Sequence, residues 1–95
     1  MDFETRVNVA MREMINIGYK PQAFMTMRIT EGTVNAIKKL IASKDIPSGF
    51  TTLWEKGRLD LSMEKIIQEP EWRNLFTDDD RKKAKKRLMD YGYNT

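Results

Sequence analysis

Residues 48–76 read SGFTTLWEKGRLDLSMEKIIQEPEWRNLF. Both tryptophans of the chain, Trp54 and Trp72, lie in this stretch with two of its four phenylalanines, Phe50 and Phe76. Leu53, Leu59, Leu61, Met63, Ile66, Ile67 and Leu75 crowd between them. Gly57 and Pro70 divide the stretch into short helices that fold back on one another. Phe50, Leu53 and Trp54 suit two helical turns ending at Gly57. Leu59 and Leu61 alternate with Arg58 and Asp60 as a strand would. No other segment reads as a partner strand, so an extended linker is expected there. Ser62 is a good N-cap, and Glu64 sits in the first turn, where the helix dipole favours an acid. Met63, Ile66 and Ile67 face inward until Pro70 stops the helix. Glu71 to Leu75 is expected to make one turn carrying Trp72 inward. Both tryptophans could stack on bases or form an exposed docking patch, but at helical spacing beside Leu53 and Leu75 they are expected to face the core.

Helical periodicity continues on either side. Phe3, Val7, Ala10, Met11, Met14 and Ile15 form one face of a helix over residues 2–17, closed by Gly18. Val9 and Ile17 lie off that stripe, so a second side is open to cover. Pro21 opens a short helix over 22–29 with Phe24 and Met27 inward, and Gly32 breaks it. Val34, Ile37, Leu40 and Ile41 form the stripe of a third helix over 33–43, and residues 44–49 have loop composition. Thr77 caps a last helix whose narrow stripe is Ala84, Leu88 and Tyr91. Gly92 closes it, and Tyr93 folds back. Short connections without strand pairing predict one all-α domain over 1–95, a compact orthogonal bundle of about five to six short helices.

The 40% hydrophobic and 33% charged fractions suit a globular chain, and no apolar run approaches the length of a membrane span. Residues 1–7, MDFETRV, lack the order of a signal peptide, so a cytoplasmic protein without membrane association is expected. The chain has no cysteine and no histidine. Disulfides, thiolate chemistry, Ser-His catalysis and most zinc sites are thereby excluded. Glu55, Asp60, Glu64, Glu69 and Glu71 remain as acids, but no spacing pairs them for acid–base work. No enzyme, cofactor or metal is expected.

Tyr19-x-Pro21-x-x-Phe24-x-x-Met27, Gly32-x-Val34-x-Ala36-x-x-x-Leu40, the block GFTTLWEKGRLDLSMEKIIQEP and Tyr91-Gly92-Tyr93 together resemble a family of short bacterial proteins of unassigned activity. The resemblance spans about residues 19–93 and is most specific over 49–70. Members tend to carry two glycines before the third helix, where this chain has Gly32 and Thr33. It implies a recurring bacterial helical domain and no particular chemistry.

Three constellations are candidates for recognition. Glu55, Arg58, Asp60 and Glu64 cluster in the central stretch, either as a polar spot for a partner or as ion pairs fixing the turn; the second reading is favoured. Arg81, Lys82, Lys83, Lys85, Lys86 and Arg87 form a basic run able to track phosphates. Against these six cations stand Asp78, Asp79, Asp80 and Asp90, and six minus four leaves only +2. Acids first and bases after are what a solvated helix complementing its dipole shows. The same dipole accounts for Asp78, Asp79 and Asp80 better than a metal does, since consecutive helical residues point apart. Met11, Met14, Met25, Met27 and Met63 fill core gaps, or line an adaptable groove for a partner. The expected function is a small non-catalytic protein-interaction or accessory module that binds another protein or a second copy of itself. The alternative is a nucleic-acid-binding module using residues 81–87.

Overall fold

In the computed structural model the described residues are 1–93, so Asn94 and Thr95 of the expected domain lie outside them. They form an all-α globule of six helices: α1 Phe3–Asn16, α2 Gln22–Glu31, α3 Thr33–Ala42, α4 Ser48–Glu55, α5 Met63–Ile66 and α6 Asp78–Asp90. Two single 3₁₀ turns, Leu59–Leu61 and Pro70–Trp72, bracket α5. α2 packs on α3, α5 on α6, and α3 on α6, while the Leu59–Leu61 turn touches α1, α4 and α5. The fully buried Val7, Ile37, Ile66, Ile67 and Leu88 come from α1, α3, the α5 segment and α6. One core therefore serves the whole bundle.

The central stretch folds back as its breakers require. After α4 the chain turns at Gly57 in the left-handed region (φ 69°), and the Arg58 N–H returns to the Leu53 carbonyl at 2.8 Å. The expected extended linker is instead the Leu59–Leu61 3₁₀ turn, with both leucines buried. The reason is hydrogen bonding. With no partner strand, Leu61 N–H bonds Arg58 O and Ser62 N–H bonds Leu59 O, so the turn satisfies its own backbone. Ser62 caps α5 as expected, accepting from Lys65 N–H while its own hydroxyl donates to Leu59 O. Pro70 opens the second 3₁₀ turn, and Trp72 is buried.

Several inward assignments need correction. Trp54 is 47% exposed, because Leu53 takes the core position and the next helical residue points about 100° away. Its ring packs at right angles to Tyr91, with centroids 5.3 Å apart. Ile15, at the margin of the α1 stripe, and Leu75, displaced by Phe76, are also exposed. The expected loop over 44–49 ends early, since α4 begins at Ser48.

Side-chain clasps tie α1 to the rest. Arg6 forks onto Glu69, with Nε to Oε1 at 3.0 Å and Nη2 to Oε2 at 2.7 Å, and the Trp72 indole donates to the same carboxylate at 2.8 Å. Phe3 packs against Trp72 and Phe76 beside it, with centroids 5.2 and 5.7 Å apart. Burial pushes the Glu69 carboxyl up, but the bonds from Arg6 and Trp72 outweigh it, and its pKa lies below the ordinary 4.5. From the same N-terminal part of α1, Glu4 accepts from Thr33 Oγ1 at 2.6 Å and from Arg28 at 2.8 Å, fastening the α2–α3 corner.

That corner depends on Gly32, whose φ of 87° and ψ of 159° are open essentially to glycine alone. Gly32→Ala is expected to lower folding stability by about 1–3 kcal/mol in urea denaturation, although no atom lies within reach of the added Cβ. An unchanged midpoint would show that the corner relaxes freely.

Candidate functional site

The end of α1 returns the Tyr19 N–H to the Met14 carbonyl at 2.9 Å and turns the Tyr19 ring against α4. The hydroxyl lies over Gly49, where a side chain at 49 would collide with it. Burial raises the Tyr19 phenol above its ordinary 10.0. Pro21 then starts α2, which sends Phe24 and Met27 to the same side. α3 contributes Leu40 from its last turn, and α4 and α5 contribute Phe50 and Met63. These elements do not close completely on one another. They leave an open apolar cleft of about 400 Å³. A volume of that order lies within the range of binding sites for small ligands or protruding side chains.

A charged clasp forms one side of the cleft. Glu64, 1% exposed, lines it from α5. Arg87 of α6 donates from Nη1 to Glu64 Oε2 at 2.8 Å. The same guanidinium reaches the Leu40 carbonyl at 3.3 Å, Ile41 at 3.3 Å and Ser43 at 3.1 Å. Those carbonyls end α3, where the helix dipole is negative and no further N–H is available. Arg87 therefore caps α3 from another helix while neutralising Glu64. Leu40 and Ser43 are themselves part of the cleft wall.

The structure separates the four central polar residues. Arg58 and Asp60 meet, Nε to Oδ1 at 3.0 Å, on the surface. Glu55 is exposed and makes no ion pair among the described residues, and Glu64 is turned inside. The basic run is divided as well. Arg81 pairs with Asp78, Lys83 with Asp79 and Lys86 with Asp90, all on α6 itself. Lys82 and Lys85 make no ion pair among the described residues. Arg87 is corrected from a solvent-facing phosphate contact to a buried side chain, 8% exposed. Its position is three residues after Ala84 and one before Leu88, so it falls on the inward stripe. Asp80 completes a capping box with Thr77, which accounts for one of the three aspartates without a metal.

The methionine pattern was the sequence signal for the cleft, since Met14, Met27 and Met63 line it. Comparison of the chain with protein-family models, curated proteins and solved structures finds no match.

Burial pushes the Glu64 carboxyl above its ordinary 4.5, with Arg87 pulling in the opposite direction. The folded state thus takes up the Glu64 proton more readily than the unfolded chain. The stability contributed by this group is full below about pH 4.5 and is lost as pH rises through the folded-state value. Arg87→Met leaves the carboxylate without its partner and is expected to cost about 3–5 kcal/mol at neutral pH. The cost should shrink on acidification, as Glu64 becomes protonated. Glu64→Gln should cost less than Arg87→Met, because the amide oxygen still accepts and the α3 carbonyls still hold the guanidinium. Urea titrations at pH 7 and pH 4.5 check both orders; equal and pH-independent losses would contradict them.

Proposed function

We propose that this chain is a small non-catalytic protein-interaction module of bacterial type, cytoplasmic, related to the short helical proteins its sequence resembles. Its binding surface is the cleft bounded by α2, the end of α3 and the start of α4. The observation that carries this reading is the cleft itself: an apolar opening of about 400 Å³ left beside the buried core. Its methionine walls adapt to varied surfaces, and its aromatic walls offer large contact area. No described helix is long and apolar enough to cross a membrane.

The nucleic-acid reading has weaker support. Three of the cations of α6 are already paired with acids of the same helix. On a helical wheel, Lys82 lies opposite Tyr91, so the free cations and the Trp54–Tyr91 aromatic pair are on different sides of α6. A strand of nucleic acid would have to use charge and stacking together to bind without sequence preference.

Ala23 is exposed at the cleft mouth, so Ala23→Glu alters the surface with little effect on folding. Affinity capture from the native cell should yield a protein that the wild type retains and Ala23→Glu loses. A partner held equally by both would move the interface away from the cleft. A partner lost on nuclease treatment, and a mobility shift with mixed DNA or RNA at about 50 mM salt that disappears in Lys82→Ala/Lys85→Ala, would favour the basic helix instead.

A further inference from the structure

Resting on the cleft as the binding surface, we infer that its occupant is a partner segment presenting bulky uncharged side chains, aromatic or branched aliphatic, and that the cleft rejects charged ones. The argument is one of charge complementarity. The cleft holds ionisable groups, but the innermost are already compensated within the protein. Glu64 faces Arg87 at 2.8 Å, and the Arg87 charge is further spread over three carbonyls. Lys39, at the rim, is held by Glu31 at 2.8 Å.

An incoming ammonium finds the Glu64 carboxylate taken. An incoming carboxylate finds Arg87 taken. Either would lose its hydration against Met27, Phe24, Phe50 and Met63 without gaining a counterion, which is a net cost. Asp45 is the one lining charge without an ion pair among the described residues, and it is exposed. It remains hydrated at the rim and does not alter the interior balance.

A neutral ring or branched chain meets none of these costs. Phe24 and Phe50 supply aromatic wall to it, and the flexible thioethers of Met14, Met27 and Met63 suit varied outlines. The volume of about 400 Å³ admits protruding side chains and not a whole helix, so the partner's backbone stays outside. The Tyr19 phenol, without a hydrogen-bond partner among the described residues, lies against Gly49 in the cleft wall and can serve a polar group of the partner.

The test uses three phenyl fragments of similar size as probes on the full chain: benzyl alcohol, benzylamine and benzoate. Chemical shifts of the methionine methyl groups report where each binds. Benzyl alcohol is expected to move the Met14, Met27 and Met63 signals, with both charged fragments binding about tenfold or more weakly. Leu40→Trp, placed on the half-buried rim of α3, is expected to fill the space and abolish the shifts. Should it unfold the chain, Ala23→Trp at the exposed mouth serves the same purpose. Equal binding of charged and neutral fragments, or shifts confined to residues outside the cleft, would overturn the inference. If a captured partner is lost on Ala23→Glu while no neutral fragment binds, the interface stands and the anchor chemistry fails. If the neutral fragment binds in the cleft but no protein is captured, the anchor chemistry stands and the interaction module fails.

Discussion

One guanidinium holds the architecture together. Arg87 leaves α6 on its inward stripe, meets the buried carboxylate of Glu64 on α5, and closes the carbonyl end of α3 through Leu40, Ile41 and Ser43. Without it, three problems arise at once. A buried carboxylate loses its counterion, the last carbonyls of α3 lose their donors, and α3 loses its polar tie to α6. Arginine suits this position because its planar fork serves several acceptors simultaneously, which an ammonium does less well. The short α5, a single turn, would have little stability alone. It is kept in place by Met63 and Ile66 in the core, by the Ser62 cap and by this ion pair.

The same clasp shapes the cleft. Leu40 and Ser43 form part of its wall, and Glu64 lines it from below the surface. The polar interaction that fixes the fold thus also fixes the opening and leaves its interior electrically balanced. The N-terminal part of α1 is fastened differently. There Arg6, Glu69 and Trp72 join α1 to the turn before α6, and Glu4, Arg28 and Thr33 secure the α2–α3 corner. Two peripheral networks and one buried ion pair connect elements that are too short to be stable singly.

Much of the fold was readable because its signals are local. Gly57, Ser62 and Thr77 each act within three or four residues and perform the expected role, whereas α5 ends at Ile66, ahead of the stop expected at Pro70, which opens the next 3₁₀ turn instead. The stripes of α1 and α3 follow directly from spacing. Errors arose where a tertiary neighbour decides. Trp54 sits beside Leu53, which takes the core position, and the indole is left half exposed. Leu59 and Leu61 alternate as in a strand, but a lone strand cannot satisfy its backbone, and the chain folds into a 3₁₀ turn. The site was less legible. Glu64 and Arg87 were grouped with surface charges by proximity in sequence. Their positions on the inward stripes, with Ile67 three residues after Glu64 and Ala84 three before Arg87, were the available sign that the two opposite charges are buried together. The cleft itself left only its methionines as a trace, since a cavity is made by elements distant in sequence.

Hydrogen exchange of the folded protein tests the central role of Arg87 most directly. Arg87→Lys keeps the charge but removes the fork. If the clasp fixes the end of α3, amides at Ile41, Ala42 and Ser43, together with those of Ile66 and Ile67, will lose protection in this variant, while α1 keeps its own. Exchange that is unchanged at the α3 end, or that rises equally in α1 and α3, would contradict the account.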